Sequence, residues 1–307
     1  MSPASIRAAR IWRPETMLLI SKLYKTILKT PPPVIDVALP PCLVAKPLCA
    51  APRSGGRAKS TWRHPLSRCS SSNLIVTHTT PGGLAAKRAT TTIPIVIALI
   101  GEAVTAGIVA NLAQPGGNIT GQSFFNPELR AKRIELLKEV MPRLTQVAVI
   151  LNADNPSAEP EFRAMKATAR SLNIKLLPFR LRAPSELVSA FEKMEQAGVE
   201  AVETGDDPLS TLNAGAIAAL AARGRLLSAG TEDIPRAGGT MSYGVDVVAT
   251  YRHAAVFVDK ILKGANPANL PIEQASKFQF ILNLKAAKAL GLEVPTATLL
   301  RADEVIE

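Results

Sequence analysis

Short apolar runs alternate along this chain with longer segments in which apolar residues recur every three or four positions. The clearest example is the stretch 199–246. An apolar run at 199–202 breaks into a polar turn at 205–208, an Ala-rich helical pattern covers 209–222, and a second apolar run follows at 226–229. Strand, turn, helix and strand in this order predict a βαβ unit of a parallel sheet.

The same plan repeats from residue 73 to the C-terminus, which predicts an α/β fold with parallel sheets flanked by helices. A change to linker-like composition near 124–126 and again near 240–246 predicts that the chain crosses there between two lobes. Further strands are predicted at 74–77, 93–98, 119–124, 146–151, 175–181 and 278–283, and further helices at 84–90, 103–113, 127–140, 159–172, 184–197, 248–262 and 285–290.

Length and composition fit a globular protein with a substantial core. The chain has 307 residues, enough for two domains, with 47% hydrophobic and 20% charged residues. Its longest apolar run, 93–100, has the length of a strand and falls far short of the ~18 residues that a membrane-spanning helix needs.

The basic character is confined to the N-terminal segment. Residues 1–70 hold 12 of the 36 Lys and Arg residues but only 2 of the 25 acidic ones, so the remainder is close to neutral despite the net charge of +11. We therefore expect the body to have no nucleic-acid partner. All three cysteines also precede position 71, which leaves the body without thiols for a disulfide or a metal.

Residues 1–72 read as a separate leader without a convincing signal peptide, because their apolar segment at 17–20 is too short. Prolines at 31–33 and a run rich in Arg, Ser and Gly further on predict an irregular segment with few core contacts. Two interpretations stay open at this point: a disordered leader, or a basic targeting or nucleic-acid-binding arm.

Polar residues placed just after predicted strands are the candidate ligand-binding residues, since ligands of parallel sheets bind at the carboxyl ends of strands. Thr79 and Thr80 open a helix and could hold a carboxylate, or they could only cap that helix. Asp206, beside Asp207, could bind an ammonium group, act in acid–base chemistry, or cap the helix after Pro208.

Two further candidates, Asn152 and Tyr243, complete the predicted site. Asn152, or alternatively Asn155, could face a cleft, although the turn 152–156 is also typical of an Asx turn. Tyr243 lies in a Gly-rich run and could stack on a ligand or pack a hinge. The chain has no phosphate-binding loop, no nucleophile elbow and no His spacing typical of a metal site, so we expect no enzymatic activity, cofactor or metal.

Five segments of the chain resemble the substrate-binding proteins of bacterial ABC transporters and occur in the same order as in that family. The resemblance is in particular to the group whose characterised relatives bind aromatic amino acids. The segments are AAKRATTTIPIV (85–96), LAQPGGNITG (112–121), KRIELLKE (132–139), GTMSYG (239–244) and LRADEVIE (300–307). The resemblance implies a two-lobed type I periplasmic-binding fold, a small-molecule ligand such as an amino acid in the cleft, an ABC permease as partner, and a monomer in the periplasm. Lobe one would hold 73–125 and about 241–265, and lobe two 126–240 and about 266–307.

The chain departs from the family pattern at three places. It has Gly101-Glu102-Ala103-Val104 where relatives carry Gly-Asp-Pro-Val, and Glu203 stands inside an expected apolar strand end. Relatives also have two strands and two helices of the first lobe before the position of Leu74. A shifted-frame start that leaves the first lobe incomplete is therefore a third interpretation of the leader. The alternative functions are a cytoplasmic ligand sensor and a non-functional fragment, and the alternative to the periplasm is a cytoplasmic or mislocalised chain.

Overall fold

The computed structural model describes residues 35–36 and 73–307. The expectations of an irregular leader at 1–72 and of an incomplete first lobe otherwise fall outside the described residues. The described pair Ile35–Asp36 forms a two-residue strand antiparallel to Ile75 and Val76. The sequence did not predict this ladder against the segment 74–77.

Strands and helices alternate along the described part of the chain. The strands are β1 (Ile35–Asp36), β2 (Ile75–Thr77), β3 (Ile95–Gly101), β4 (Ile119–Phe124), β5 (Gln146–Asn152), β6 (Lys175–Leu181), β7 (Ala201–Thr204), β8 (Leu227–Gly230), β9 (Met241–Val245), β10 (Ile272–Gln274), β11 (Phe278–Asn283) and β12 (Glu304–Ile306). The helices are α1 (Thr80–Ala89), α2 (Asn126–Val140), α3 (Ala158–Ser171), α4 (Leu187–Gln196), α5 (Pro208–Thr211), α6 (Ala214–Arg223), α7 (Asp233–Arg236), α8 (Val247–Leu262), α9 (Leu284–Ala289) and α10 (Thr296–Leu299).

The described strands form two sheets, each the centre of one lobe. Lobe one has the strand order β1-β2-β3-β4-β10, and lobe two has β12-β11-β9-β8-β7-β5-β6. All neighbouring strands run parallel except β1 against β2 and β9 against β11. Helices α1 and α8 pack on lobe one, and α2 to α7 accompany lobe two. The predicted two-lobed α/β fold of parallel sheets flanked by helices is confirmed.

Both faces of the central strands β3 and β5 are buried, which explains why these strands read as continuous apolar runs. On β3, Ile95 and Ile97 join the core under α1, whereas Val96 and Ala98 join a second core with Phe257 of α8. Strand β5 of lobe two divides its alternate residues between two cores in the same way. Because these central strands are covered on both sides, a ligand can reach them only at their ends.

The described chain crosses between the lobes three times, and the expected lobe boundaries need correction at two strands. Strand β9, expected in lobe one, lies in lobe two between β8 and β11, and β10, expected in lobe two, lies beside β4 in lobe one. The crossings fall after β4, after β9 and between β10 and β11. Backbone hydrogen bonds tie them together, from Ala275 N–H to Ser123 O at 2.8 Å and from Asp246 N–H to Lys277 O at 2.9 Å.

Two predicted helices differ from the structure. Residues 103–113 form turns rather than a helix, since Glu102 and Gly107 take positive φ angles of 47° and 70° that a helix cannot contain. The pattern at 209–222 divides into α5 and α6, and the Asn213 side chain between them donates to Leu209 O at 2.7 Å.

Glycine is required at position 121 of β4. Its φ is 137°, and a Cβ at this position would lie 2.0 Å from the carbonyl oxygen of Ile97 on β3. The β3–β4 register shifts between Ile97 and Ile100, which accompanies this close backbone approach. The approach fixes the end of β3, whose last residues form a wall of the cavity described next.

Candidate functional site

A cavity of about 110 Å³ lies between the two lobes at the carboxyl ends of their strands. The residues that line it come from both lobes, as expected for a ligand site of parallel sheets. Lobe one contributes the polar residues His78, Thr79 and Thr80, and lobe two contributes Asn155, Glu161, Asp206, Asp207, Thr231, Glu232 and Asp233. The apolar lining includes Leu99, Ile100, Phe124, Leu212, Val245 and Tyr251.

Thr79 directs the start of α1 toward the cavity. It is the N-cap, and its Oγ1 accepts a hydrogen bond from Gly82 N–H at 3.5 Å. Its backbone angles, φ 63° and ψ 157°, belong to a region occupied almost only by glycine, which costs about 1–3 kcal/mol. Strain of this kind at a β-branched residue is found where the surrounding structure enforces it, and such places cluster at ligand sites.

Two rings close the wall of lobe one behind Thr79. The His78 and Tyr251 rings lie 6.1 Å apart at 57°. Burial lowers the pKa of His78, which favours the neutral imidazole, and burial raises the pKa of Tyr251, which keeps its hydroxyl protonated. The wall of lobe one therefore carries no formal charge at neutral pH.

The wall of lobe two is acidic and is built on a buried ion-pair network. Arg130 and Arg133 of α2 and Glu203 of β7 are at most 1% exposed. Arg130 donates to both carboxylate oxygens of Glu203, from Nε to Oε1 at 3.0 Å and from Nη2 to Oε2, and it donates to Glu161 from Nη1 at 3.0 Å. Arg133 reaches Glu203 at 3.3 Å and Asp206 at 2.7 Å. The unexpected Glu203 is thus the acceptor between two buried cations.

Neighbouring carboxylates in this wall differ in their hydrogen bonds and in the direction of their interactions. Asp207 caps α5, since its Oδ1 accepts from Leu209 N–H at 2.8 Å, and burial raises its pKa despite these bonds. Oδ1 of Asp206 accepts a hydrogen bond from Arg133, whereas the buried Oδ2 has no hydrogen-bond partner among the described residues. Burial, followed by the charge of Glu232, raises the pKa of Asp233 to about 6.

The structure brings three of the five predicted ligand residues, Thr79, Thr80 and Asp206, to this cavity. Asn152 does not line it: its Oδ1 accepts from Asp154 N–H at 3.0 Å in an Asx turn, and the alternative Asn155 lines the cavity instead. Tyr243 does not line it either, because its ring stacks on Phe278 with centroids 6.3 Å apart, at the crossing between the lobes.

The sequence did not predict several of the residues that line the cavity. His78 and Tyr251 gave no pattern that separates them from ordinary turn and helix residues. Thr231, Glu232 and Asp233 followed a predicted strand, which is the same signal that identified Asp206. In the part of the chain that the structure describes, no group of three or more His, Cys, Asp and Glu side chains is arranged to hold a metal, and no helix has the length and apolar character to cross a bilayer.

Comparisons with known proteins agree with this architecture. A tyrosine-binding protein of Clostridioides difficile (strain R20291) is 23% identical over 222 residues, which are 72% of this chain and 64% of that relative, so the chain spans less than two thirds of the relative's length. A conserved domain protein from Vibrio cholerae is 27% identical, with a TM-score of 0.72 over 76% of this chain and 78% of that one.

A second solved structure, the ABC domain of a Streptococcus pneumonia protein in complex with L-Trp, is 24% identical, with a TM-score of 0.73 over 77% of this chain and 80% of that one. A family model of ABC transporter substrate binding proteins matches residues 68–306, which is most of the chain. The chain belongs to the family of ABC transporter substrate-binding proteins.

Proposed function

We propose that this protein is the solute-binding component of an ABC-type importer and that it captures a zwitterionic amino acid between its lobes. The observation that carries the proposal is the opposed chemistry of the cavity walls. The helix start at Thr79 and Thr80 offers hydrogen-bond donors on one wall, and Asp206 offers a carboxylate oxygen without a partner on the other.

Charge complementarity supports an α-amino acid over an acid or an amine alone. The N-terminus of α1 carries a partial positive charge that favours a carboxylate. The opposite wall has the carboxylates of Asp206, Glu232 and Asp233, and its nearest cations are already paired with carboxylates. An ammonium group would find a partner there and a carboxylate would be repelled, so a zwitterion has one preferred orientation.

The apolar lining supports a ligand whose side chain is not charged. Leu99, Phe124 and Tyr251 provide apolar or aromatic surface beside the helix start. One relative is named as a tyrosine-binding protein and one similar solved structure holds L-Trp, and both ligands are zwitterions with large side chains. We extend this ligand class to the present chain, and we infer further that it acts as a monomer in the periplasm, performs no chemistry on the ligand and delivers it to a membrane permease.

Calorimetric titration of the full chain with a panel of L-amino acids tests the proposal. We expect at least one member to bind, with L-tyrosine and L-tryptophan as the first probes. Tyramine lacks the carboxylate and N-acetyl-L-tyrosine lacks the ammonium group, so each should bind at least roughly 10-fold more weakly than L-tyrosine. Equal binding of either derivative, or no binding by any amino acid, would contradict the assignment.

A further inference from the structure

The guanidinium of Arg133 contacts both the wall of the cavity and a strand that leads into a crossing between the lobes. It is 0% exposed and donates to four different acceptors. Nη2 holds Asp206 Oδ1 at 2.7 Å in the cavity wall, and Nε donates to the backbone carbonyl of Tyr243 at 2.7 Å on β9. Nη1 reaches Glu203 at 3.3 Å and the carbonyl of Thr204 at 3.1 Å.

Strand β9 leads directly into a crossing between the lobes. It ends at Val245, and α8 of lobe one begins at Val247. Gly244 and Val245 line the cavity, immediately after the carbonyl that Arg133 holds. A displacement of the Arg133 guanidinium would therefore act on the cavity carboxylate and on the connecting strand together.

Resting on the function proposed above, we propose that Arg133 is a positioning residue that orients Asp206 for the ligand and couples this carboxylate to β9. The planar guanidinium fixes Oδ1, which leaves Oδ2 as the free acceptor of the cavity wall. The same plane fixes the Tyr243 carbonyl. Arg133 does not line the cavity itself, so its effect on a ligand is transmitted through Asp206 and β9.

Arg130 provides a matched control on the same helix. It is buried to the same degree and also pairs with Glu203, but its hydrogen bonds go to Glu203 and Glu161 rather than to Asp206 or β9. Lys at either position keeps the charge and loses the fork geometry that lets one side chain hold several acceptors. A general cost of altering a buried ion pair should therefore appear in both variants, whereas the positioning effect should appear only in Arg133→Lys.

The first measurement is amide hydrogen exchange without ligand, which judges the link to β9 whether or not an amino acid binds. We expect Arg133→Lys to raise exchange of the Met241–Val245 amides at least roughly threefold relative to those of β5, a strand of the same sheet. Arg130→Lys should leave this ratio near its parent value. An equal ratio in the two variants would overturn the proposal.

The second measurement is a double-mutant cycle on affinity for L-tyrosine and L-tryptophan. Arg133→Lys should weaken binding about 10-fold, and Arg133→Lys combined with Asp206→Ala should bind no more than about threefold weaker than Asp206→Ala alone. Fully additive losses would show that Arg133 does not act through Asp206. Absence of binding by the parent would remove the proposed function and leave the exchange result to judge the positioning role.

If Arg133→Lys fails to fold, Asp206→Ala carries the exchange test. Loss of the acceptor at Nη2 should free the guanidinium to shift away from the Tyr243 carbonyl, and β9 exchange should rise at least roughly threefold relative to β5. The exposed Asp154→Ala is its control, since the carboxylate of Asp154 forms an ion pair with the solvent-exposed Arg182. Unchanged β9 exchange in Asp206→Ala would overturn the coupling.

Discussion

Asp206 accepts a hydrogen bond from Arg133 through Oδ1 at 2.7 Å, while its second oxygen, Oδ2, is buried without a hydrogen-bond partner among the described residues. A buried acceptor without a partner costs about 1–3 kcal/mol, so a donor placed beside Oδ2 gains this free energy on binding. An ammonium group is a strong donor for this oxygen, because both the donor and the acceptor are charged.

Asp206→Asn should therefore weaken amino-acid binding. The side chain keeps its shape but loses its charge, and the loss of a charge-assisted bond of about 1.5–3 kcal/mol corresponds to roughly 10- to 100-fold in affinity. Calorimetry on the full chain measures the affinity for amino acids, and the exposed Asp154→Asn is the control. Unchanged affinity for every amino acid that the parent binds would remove Asp206 from the site.

Thr79→Gly and Thr79→Ala form a pair that separates strain from capping. Both remove Oγ1 from the helix start, but only glycine tolerates φ 63° and ψ 157° without strain. The free energy of unfolding of Thr79→Gly, measured by urea denaturation, should be about 1–3 kcal/mol higher than that of Thr79→Ala. Both variants should bind the ligand several-fold more weakly than the parent. If alanine proved as stable as glycine here, the backbone strain would be refuted.

The raised pKa of Asp233 predicts a pH-dependent stability. Its pKa rises from 3.8 to about 6 in the folded state, so the folded protein binds this proton more tightly than the unfolded chain does. The carboxyl group therefore costs nothing below pH 3.8, and its destabilisation grows to its full value above about pH 6.

Asp233→Asn should remove that cost. We expect it to raise the free energy of unfolding by about 1–2 kcal/mol at pH 7.5, a value reduced for the solvent that still reaches the group. The difference from the parent should shrink toward zero at pH 3.5, where both side chains are neutral. A gain that is equal at the two pH values would show that titration is not its cause.

Gly121→Ala should unfold the protein or cost more than about 4 kcal/mol, because a Cβ there would lie 2.0 Å from the Ile97 carbonyl oxygen. Gly215→Ala is the matched control. Its Cβ would meet nothing within 4 Å on α6, and we expect it to stabilise the protein by about 0.5–1 kcal/mol. Thermal melting compares the two. A stable Gly121→Ala protein would mean that β3 and β4 do not approach so closely.

The pattern of apolar and polar residues predicted those strands and helices that depend mainly on local sequence. The apolar run of β3 is readable because both faces are buried, and the bounds of β6 and β11 agree with their predicted ranges. Strands β10 and β12 were missed, since three residues carry too little periodicity and their pairing depends on distant partners. The false helix at 103–113 followed apolar spacing that the positive φ of Gly107 interrupts.

The candidate site was predictable only in part, for a related reason. Position after a strand identifies Thr79 and Asp206, because topology alone brings such positions to one edge. It does not identify the buried Arg133, whose acceptors Glu203, Asp206 and Tyr243 come from strands and turns far along the chain. The available signal was Glu203 itself, since a carboxylate inside a buried strand requires a buried cation nearby.

The three connections between the lobes have a consequence for how the gene can be divided. Strand β10 of lobe one lies between α8 and the β11 strand of lobe two in the sequence. A stop codon near position 265 would thus strip an edge strand from one lobe and two strands from the other. Neither lobe corresponds to one continuous stretch of the coding sequence, so an isolated lobe could be expressed only by joining its separate segments.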